Sequence, residues 1–181
     1  MRSINWLRLA ATALAASLAC PAYADITGTV DATITLTTGC LINGQNFDDG
    51  AGAADFGTID FGTQNTLFTQ ADGQLLSGGG ALAIQCSPGI APTLSFAAGL
   101  HDGQGTGAGD RSMANAGAPG QYVTYNLYSD AGRTAALPVG GTIALDASGN
   151  AQTVDIYARA FGTAGLVAGS YSDVITIVLE L

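Results

Sequence analysis

Two stretches of this sequence alternate apolar and polar residues for longer than an ordinary strand lasts. Ile26, Gly28, Val30, Ala32, Ile34 and Leu36 fall on one side, with Thr27, Thr29, Asp31, Thr33, Thr35 and Thr37 on the other. Towards the other end, Tyr171, Asp173, Ile175, Ile177, Leu179 and Leu181 alternate with Ser172, Val174, Thr176, Val178 and Glu180. A period of two marks a strand, because successive side chains point to opposite faces. No stretch after residue 24 holds a 3.6-residue apolar period for three turns, so little or no helix is expected.

Between these ends, strand-like runs are predicted at 26–38, 56–61, 66–70, 81–86, 93–97, 122–128, 142–145, 153–161 and 171–181. Turn chemistry separates them at Asp49-Gly50, Asp72-Gly73, 77–80, 102–110, 117–120, Gly140-Gly141 and Ser148-Gly149. This spacing predicts a single all-β sandwich of immunoglobulin-like type, with no linker to a second domain. The terminal alternations add a further expectation. Residues 26–36 read either as the first strand of the sandwich or as a detachable strand for another sheet. The last strand is apolar in part on both faces and needs a neighbour along its edge.

The first 24 residues read as an address. Arg2 and Arg8 precede an apolar run from Leu9 to Ala19, and Ala22-Tyr23-Ala24 has the small-x-small form of a cleavage site. A lipidated Cys20 is the rival reading, against which Pro21 and the later cleavage site speak. Export leaves Cys40 and Cys86 in an oxidising compartment, where a disulfide between them is expected. Closing that long loop is worth roughly 4 kcal/mol in the chain-entropy model.

Charge narrows the function. The chain has 5 Lys+Arg, none of them lysine, against 14 Asp+Glu. Nucleic-acid binding needs clustered Lys and Arg and is excluded as a partner class. An enzyme is not expected. His101 is the single histidine and sits beside Asp102 in a glycine-rich loop, with no serine elbow motif and no free cysteine left to act as nucleophile. Asp48-Asp49 read as solvated turn residues rather than a glycosidase pair. The 102–110 loop lacks the Lys-Ser/Thr of a phosphate loop and the internal Asp of a calcium repeat, and reads as a flexible connection. Tyr122, Tyr125, Tyr128 and Tyr157 read as core or groove edge rather than a carbohydrate platform. No cofactor or metal is expected.

Several motifs in order carry a family resemblance. They are Thr27-Gly28-Thr29-Val30-Asp31 leading to Thr38-Gly39-Cys40, then Phe56-Gly57-Thr58-Ile59-Asp60-Phe61-Gly62, and Ala83-Ile84-Gln85-Cys86. Asp110-Arg111-Ser112-Met113, Tyr125-Asn126-Leu127-Tyr128-Ser129-Asp130 with Arg133-Thr134, and Gly169-Ser170-Tyr171-Ser172-Asp173 follow. Together they resemble subunits of archaic, Csu-type chaperone-usher pili, the family of the spore coat protein U domain. One departure is that Ala135-Ala136-Leu137 stand where many such domains carry an aromatic-glycine pair.

The resemblance implies an incomplete immunoglobulin-like sandwich, completed by a strand from a periplasmic chaperone and then, at an outer-membrane usher, from a neighbouring copy in a fibre. It implies a signal peptide at 1–24, a donor segment at 25–38 and a pilin domain at 39–181. The donor side chains would be Ile26, Gly28, Val30, Ala32, Ile34 and Leu36, with Gly28 marking a small pocket or a close backbone approach. Tyr171, Ile175, Ile177, Leu179 and Leu181 would line the acceptor groove and meet the chaperone. The expected role is a shaft subunit of a cell-surface pilus supporting adhesion and biofilm formation. The alternatives are a self-complemented secreted coat protein and an adhesin or lectin-like module.

Overall fold

The computed structural model describes residues 25–181. The predicted signal peptide at 1–24 lies outside the described residues. The chain divides into a unit ending at Thr35 and a unit of Leu36–Leu181. In the first unit, residues 25–35 form neither helix nor strand, and Ile26, Val30 and Ile34 are exposed. The strand predicted at 26–38 is therefore not formed in the single chain. An extended segment gains its ladder of hydrogen bonds only from a neighbour, and alternation alone does not supply one.

In the second unit every regular element is a strand: β1 (Gly39–Ile42), β2 (Gln45–Asp48), β3 (Thr58–Ile59), β4 (Gln70–Leu76), β5 (Leu82–Cys86), β6 (Thr93–Gly99) and β7 (Arg111–Asn115). The remainder are β8 (Tyr122–Tyr128), β9 (Ala136–Leu137), β10 (Gly141–Ala144), β11 (Gln152–Val154), β12 (Tyr157–Phe161), β13 (Tyr171–Ser172) and β14 (Ile175–Glu180). All pairings are antiparallel. Three sheets result, in the orders β11-β5-β1-β2, β10-β6-β14 and β13-β7-β8-β12-β4-β3, with β9 added to β8. This is the all-β, immunoglobulin-like architecture that the turn spacing predicted. Ile42, Leu82, Ile84, Leu94, Phe96, Leu127 and Ile156 belong to one buried cluster shared by the sheets. Cys40 of β1 and Cys86 of β5 stand opposite each other in the ladder and are disulfide-bonded.

Local chemistry explains where the predicted strands shift. The β1–β2 hairpin, not among them, turns on Asn43-Gly44, both at positive φ (51° and 81°). That is the two-residue turn whose twist matches its flanking strands. Asp72-Gly73, expected as a turn, lies inside β4, while of 66–70 only Gln70 is strand. Asp72 faces Arg159 of β12 across the ladder and accepts from its Nε at 2.6 Å and Nη2 at 3.0 Å. Gly73 is needed for close approach, since a Cβ there would lie 3.0 Å from the Asp60 carbonyl oxygen. The predicted 153–161 strand breaks at Asp155-Ile156, and 171–181 breaks at Asp173-Val174.

The 102–110 loop is not the flexible connection its glycines suggested. Added Cβ atoms at Gly105 and Gly107 would collide with Thr124, and one at Gly109 with the Tyr125 backbone. The bare backbone thus lies flat on β8. Its N–H groups at Gly105, Gly109 and Asp110 donate to Ser112 Oγ (3.1 Å), Thr124 Oγ1 (3.2 Å) and Asn126 Oδ1 (2.7 Å). The departing segment Ala136-Leu137 pairs as β9 with Tyr128 and Leu127. It is set up by Asp130, which accepts from the N–H groups of Thr134 and Ala135. The Ala135 N–H, with Thr134 and Gly132 adding to it, holds the Asp130 carboxyl below its ordinary range.

Reducing the Cys40–Cys86 bond is expected to lower unfolding free energy by about 2–4 kcal/mol, read from denaturant midpoints with and without reductant. Equal midpoints would show that the bond is dispensable. The Arg159 hydrogen bond, with the charge of Arg133 beside it, holds Asp72 below the ordinary carboxylate range. The stability from this pair is thus complete above that range and is lost as pH falls through the depressed value. Asp72→Asn is expected to flatten that part of the acid limb, and an unaltered limb would contradict the linkage.

Candidate functional site

Four of the sheet edges face one another. β2 pairs only with β1, β3 only with β4, β13 only with β7 and β14 only with β6. The β2–β3 edge and the β13–β14 edge form the two walls of a groove made of three adjoining cavities. The first, about 560 Å³, lies between Phe47 and residues 48–57 on one side and 174–181 on the other. The second, about 420 Å³, is walled by Thr58 and Ile59 opposite Tyr171–Ile175, over a floor of Leu75, Phe96, Met113, Tyr125, Leu127 and Ile156. The third, about 770 Å³, continues between Phe61–Phe68 and Leu166–Tyr171 over Ala71, Met113, Val123 and Ala160. Adjacent cavities share lining residues, Gly57, Val174, Ile175 and Ile177 between the first two and Ile59, Phe61, Met113 and Tyr171 between the last two.

The predicted groove residues fall on one wall. Ile175, Ile177 and Leu179 are half-buried and pack against the core, and their alternate neighbours Val174 and Val178 are exposed. Leu181 is 40% exposed at the mouth of the first cavity. Tyr171 lines the second and third cavities, and its hydroxyl donates to the Val167 carbonyl at 2.7 Å. The opposite wall and the floor escaped the sequence reading. The alternation of Phe56, Thr58, Asp60 against Gly57, Ile59, Phe61 was visible as a strand but carried no sign of what it faces.

A polar network fixes the point where the chain passes from β13 to β14. Arg111, 1% exposed, donates to the carbonyls of Ala97 (2.7 Å) and Phe96 (3.3 Å), with Asp102 Oδ2 at 3.8 Å. Pairing is what makes a buried guanidinium tolerable. Asp102 Oδ2 accepts from Gly99 N–H, and Asp173 Oδ1 accepts from Leu100 N–H, both at 2.9 Å. Asp173 Oδ2 accepts from the Tyr125 hydroxyl at 2.7 Å on the groove floor. Burial, and secondarily the Asp173 carboxylate, push the Tyr125 hydroxyl above its ordinary range, so it stays protonated and donates. Asp173 thereby ties the start of β14 both to the end of β6 and to the floor.

His101 lies in a loop with its ring 6.2 Å from that of Tyr122. Among the described residues, no group of three or more His, Cys, Asp or Glu is placed to hold a metal. What this site offers is shape and backbone hydrogen bonding along an apolar trough. Tyr125→Phe is expected to cost about 1–3 kcal/mol, because a half-buried carboxylate loses its donor; a denaturant midpoint equal to that of the parent would contradict this role.

No curated protein matches the chain. Among solved structures it is similar to a chain in the crystal structure of the CsuC–CsuE chaperone–tip adhesion subunit pre-assembly complex from archaic chaperone-usher Csu pili of Acinetobacter baumannii. The identity is 16%, the TM-score 0.46, and the match covers 81% of this chain and 40% of that one. The family model of the Spore Coat Protein U domain matches residues 26–178, nearly all of the described chain. The chain belongs to the Spore Coat Protein U domain family.

Proposed function

We propose that this protein is a structural subunit, a shaft pilin of an archaic chaperone-usher pilus, that polymerises by donating its N-terminal segment to the groove of a neighbouring copy. The observation that carries this reading is the groove itself. Its walls are strand edges with one partner each, and its floor is apolar. One added strand can hydrogen-bond to such edges while its alternate side chains fill the trough. The segment 25–38 supplies the complementary half: a row of apolar residues at alternate positions, exposed in the single chain.

In this reading residues 1–24 direct export, 25–38 are the donor and 39–181 the accepting domain. A periplasmic chaperone occupies the groove first, an outer-membrane usher supports exchange for the next subunit, and the product is a cell-surface fibre used for adhesion and biofilm formation. The protein's work is assembly rather than catalysis.

Deleting residues 26–36 is expected to leave a domain that still accepts a strand but no longer donates one. Electron microscopy of cells carrying the deletion should show no fibres, with the subunit still recovered in chaperone complex. Fibres of normal length would overturn the assignment.

A further inference from the structure

Tyr122, Tyr128, Tyr157 and Phe161 stand outside the buried cluster and outside the residues packed against it. All four occupy outward positions of β8 and β12, where they alternate with Val123, Tyr125, Leu127, Ala158 and Ala160 of that cluster. Of the four tyrosines expected at the core or groove edge, Tyr125 alone belongs to the cluster. Two arginines share this outer face: Arg133 and Arg159 both meet Asp72, and the Arg133 guanidinium lies 5.7 Å from the centre of the Tyr157 ring. The outward positions of β6 and β10 carry short side chains instead, such as Thr93, Ser95, Thr142 and Ala144. One exposed ring needs no explanation, but rings gathered with arginines on one face mark a place where something binds.

The face has a regular layout. Across the β4–β12 ladder Tyr157 stands opposite Gln74, Arg159 opposite Asp72 and Phe161 opposite Gln70. Strands rise about 3.3 Å per residue, so the two rings of β12 lie about 13 Å apart with the ion pair between them. A ligand that covers both rings is therefore an extended chain rather than a single small ring. The Asp72 pair occupies Nε and Nη2 of Arg159, which leaves Nη1 and the exposed Gln70 amide to hydrogen-bond a ligand.

Charge selects the class of chain. Asp72 takes Arg159 at 2.6 Å and Arg133 at 3.3 Å, and Arg133 also donates to the carbonyls of Ala131 and Ala158, both at 3.0 Å. An anionic ligand would have to displace Asp72 and approach a chain of formal net charge -9. An apolar protein surface would bury the ion pair, at a desolvation cost that the pair does not return. An uncharged, hydroxyl-rich chain meets neither penalty. Its C–H faces pack on the rings, while its hydroxyls donate to Asp72 and accept from Arg159 and Gln70 in place of water.

We infer that the outer face of β4 and β12 binds an extended, uncharged polysaccharide chain, which packs on Tyr157 and Phe161 and is hydrogen-bonded by Asp72, Arg159 and Gln70. The inner side of the same strands gives Ala71, Leu75 and Ala160 to the groove, so the two sites lie on opposite sides of one sheet. In the fibre proposed above the site would recur in every subunit, and weak single sites would add up by avidity. Binding by the single chain does not depend on that reading.

The test titrates the ¹⁵N-labelled mature chain, residues 25–181, with cellohexaose and with chitohexaose and follows the amide NMR shifts. At millimolar concentration at least one of the two sugars is expected to move the amides of 70–74 and 157–161 and to leave those of 175–180 in place. Phe161→Ala and Arg159→Lys are each expected to weaken that binding roughly tenfold; the lysine keeps the charge beside Asp72 but loses the planar fork. Gln70→Ala, at an exposed position that folding tolerates, is expected to weaken it severalfold, and unchanged affinity in all three variants would overturn the site. No shift with either sugar, shifts confined to the groove, or tighter binding of a heparin hexasaccharide would each overturn the proposal. Movement of the same amides on concentrating the protein without sugar would assign the face to a second copy and overturn it as well.

Discussion

The edge of a β-sheet carries a row of N–H and C=O groups that need partners, and here such edges face each other across an apolar trough. On one side β2 and β3 each have a single neighbour, and on the other so do β13 and β14. Most proteins blunt or cover edges of this kind, because an open edge templates association with other chains. This domain instead lines the gap with Phe47, Ile59, Phe61, Ile175, Ile177 and Leu179, which pack on the core yet stay half-buried. In the proposed assembly an added strand fills this gap, so that the open edges and the assembly are one physical fact.

The rest of the structure holds that gap open in a defined shape. The Cys40–Cys86 bond fastens β1 to β5, and β1 in turn carries β2, one edge of the groove. Gly73 lets Ile59, Asp60 and Phe61 lie close against β4, which sets the remainder of the same wall. The Arg111, Asp102, Asp173 and Tyr125 network fixes where β14 begins. On the outer face, Asp72 is shared between Arg133 and Arg159. Every described arginine is thus engaged within the domain, which leaves the remaining surface acidic.

Much of this was legible in the sequence. The runs at 81–86, 93–97, 122–128 and 142–145 became β5, β6, β8 and β10 within a residue or two at each end, since their alternation agrees with their burial. The disulfide followed from the expectation of export, which leaves Cys40 and Cys86 as the two remaining cysteines. The β14 face was legible from its period of two. What failed did so where long-range contacts overrode local signals. Asp72-Gly73 carries the letters of a turn, but its reason lies in Arg159 and Asp60, far away in the chain. The glycines of 102–110 signalled freedom, whereas they are needed so that backbone can rest on Thr124 and Tyr125. The opposite wall of the groove could not be read from sequence alone, because facing across a gap leaves no period. Residues 26–36 carry the clearest strand pattern of all and form none in the single chain, where no neighbouring strand gives them a ladder; in the proposed assembly that partner is an edge of another copy.

The central claim, that the trough accepts an added strand, is tested most directly by amide hydrogen exchange on the mature chain with and without a synthetic peptide of residues 25–38. Strand addition would supply partners to the open edges. The account predicts slowed exchange in β14, from Ile175 to Glu180, and in the facing stretch from Phe47 to Ile59, with little change in the already paired β8 and β12. Exchange in β14 that stays the same at saturating peptide would contradict it.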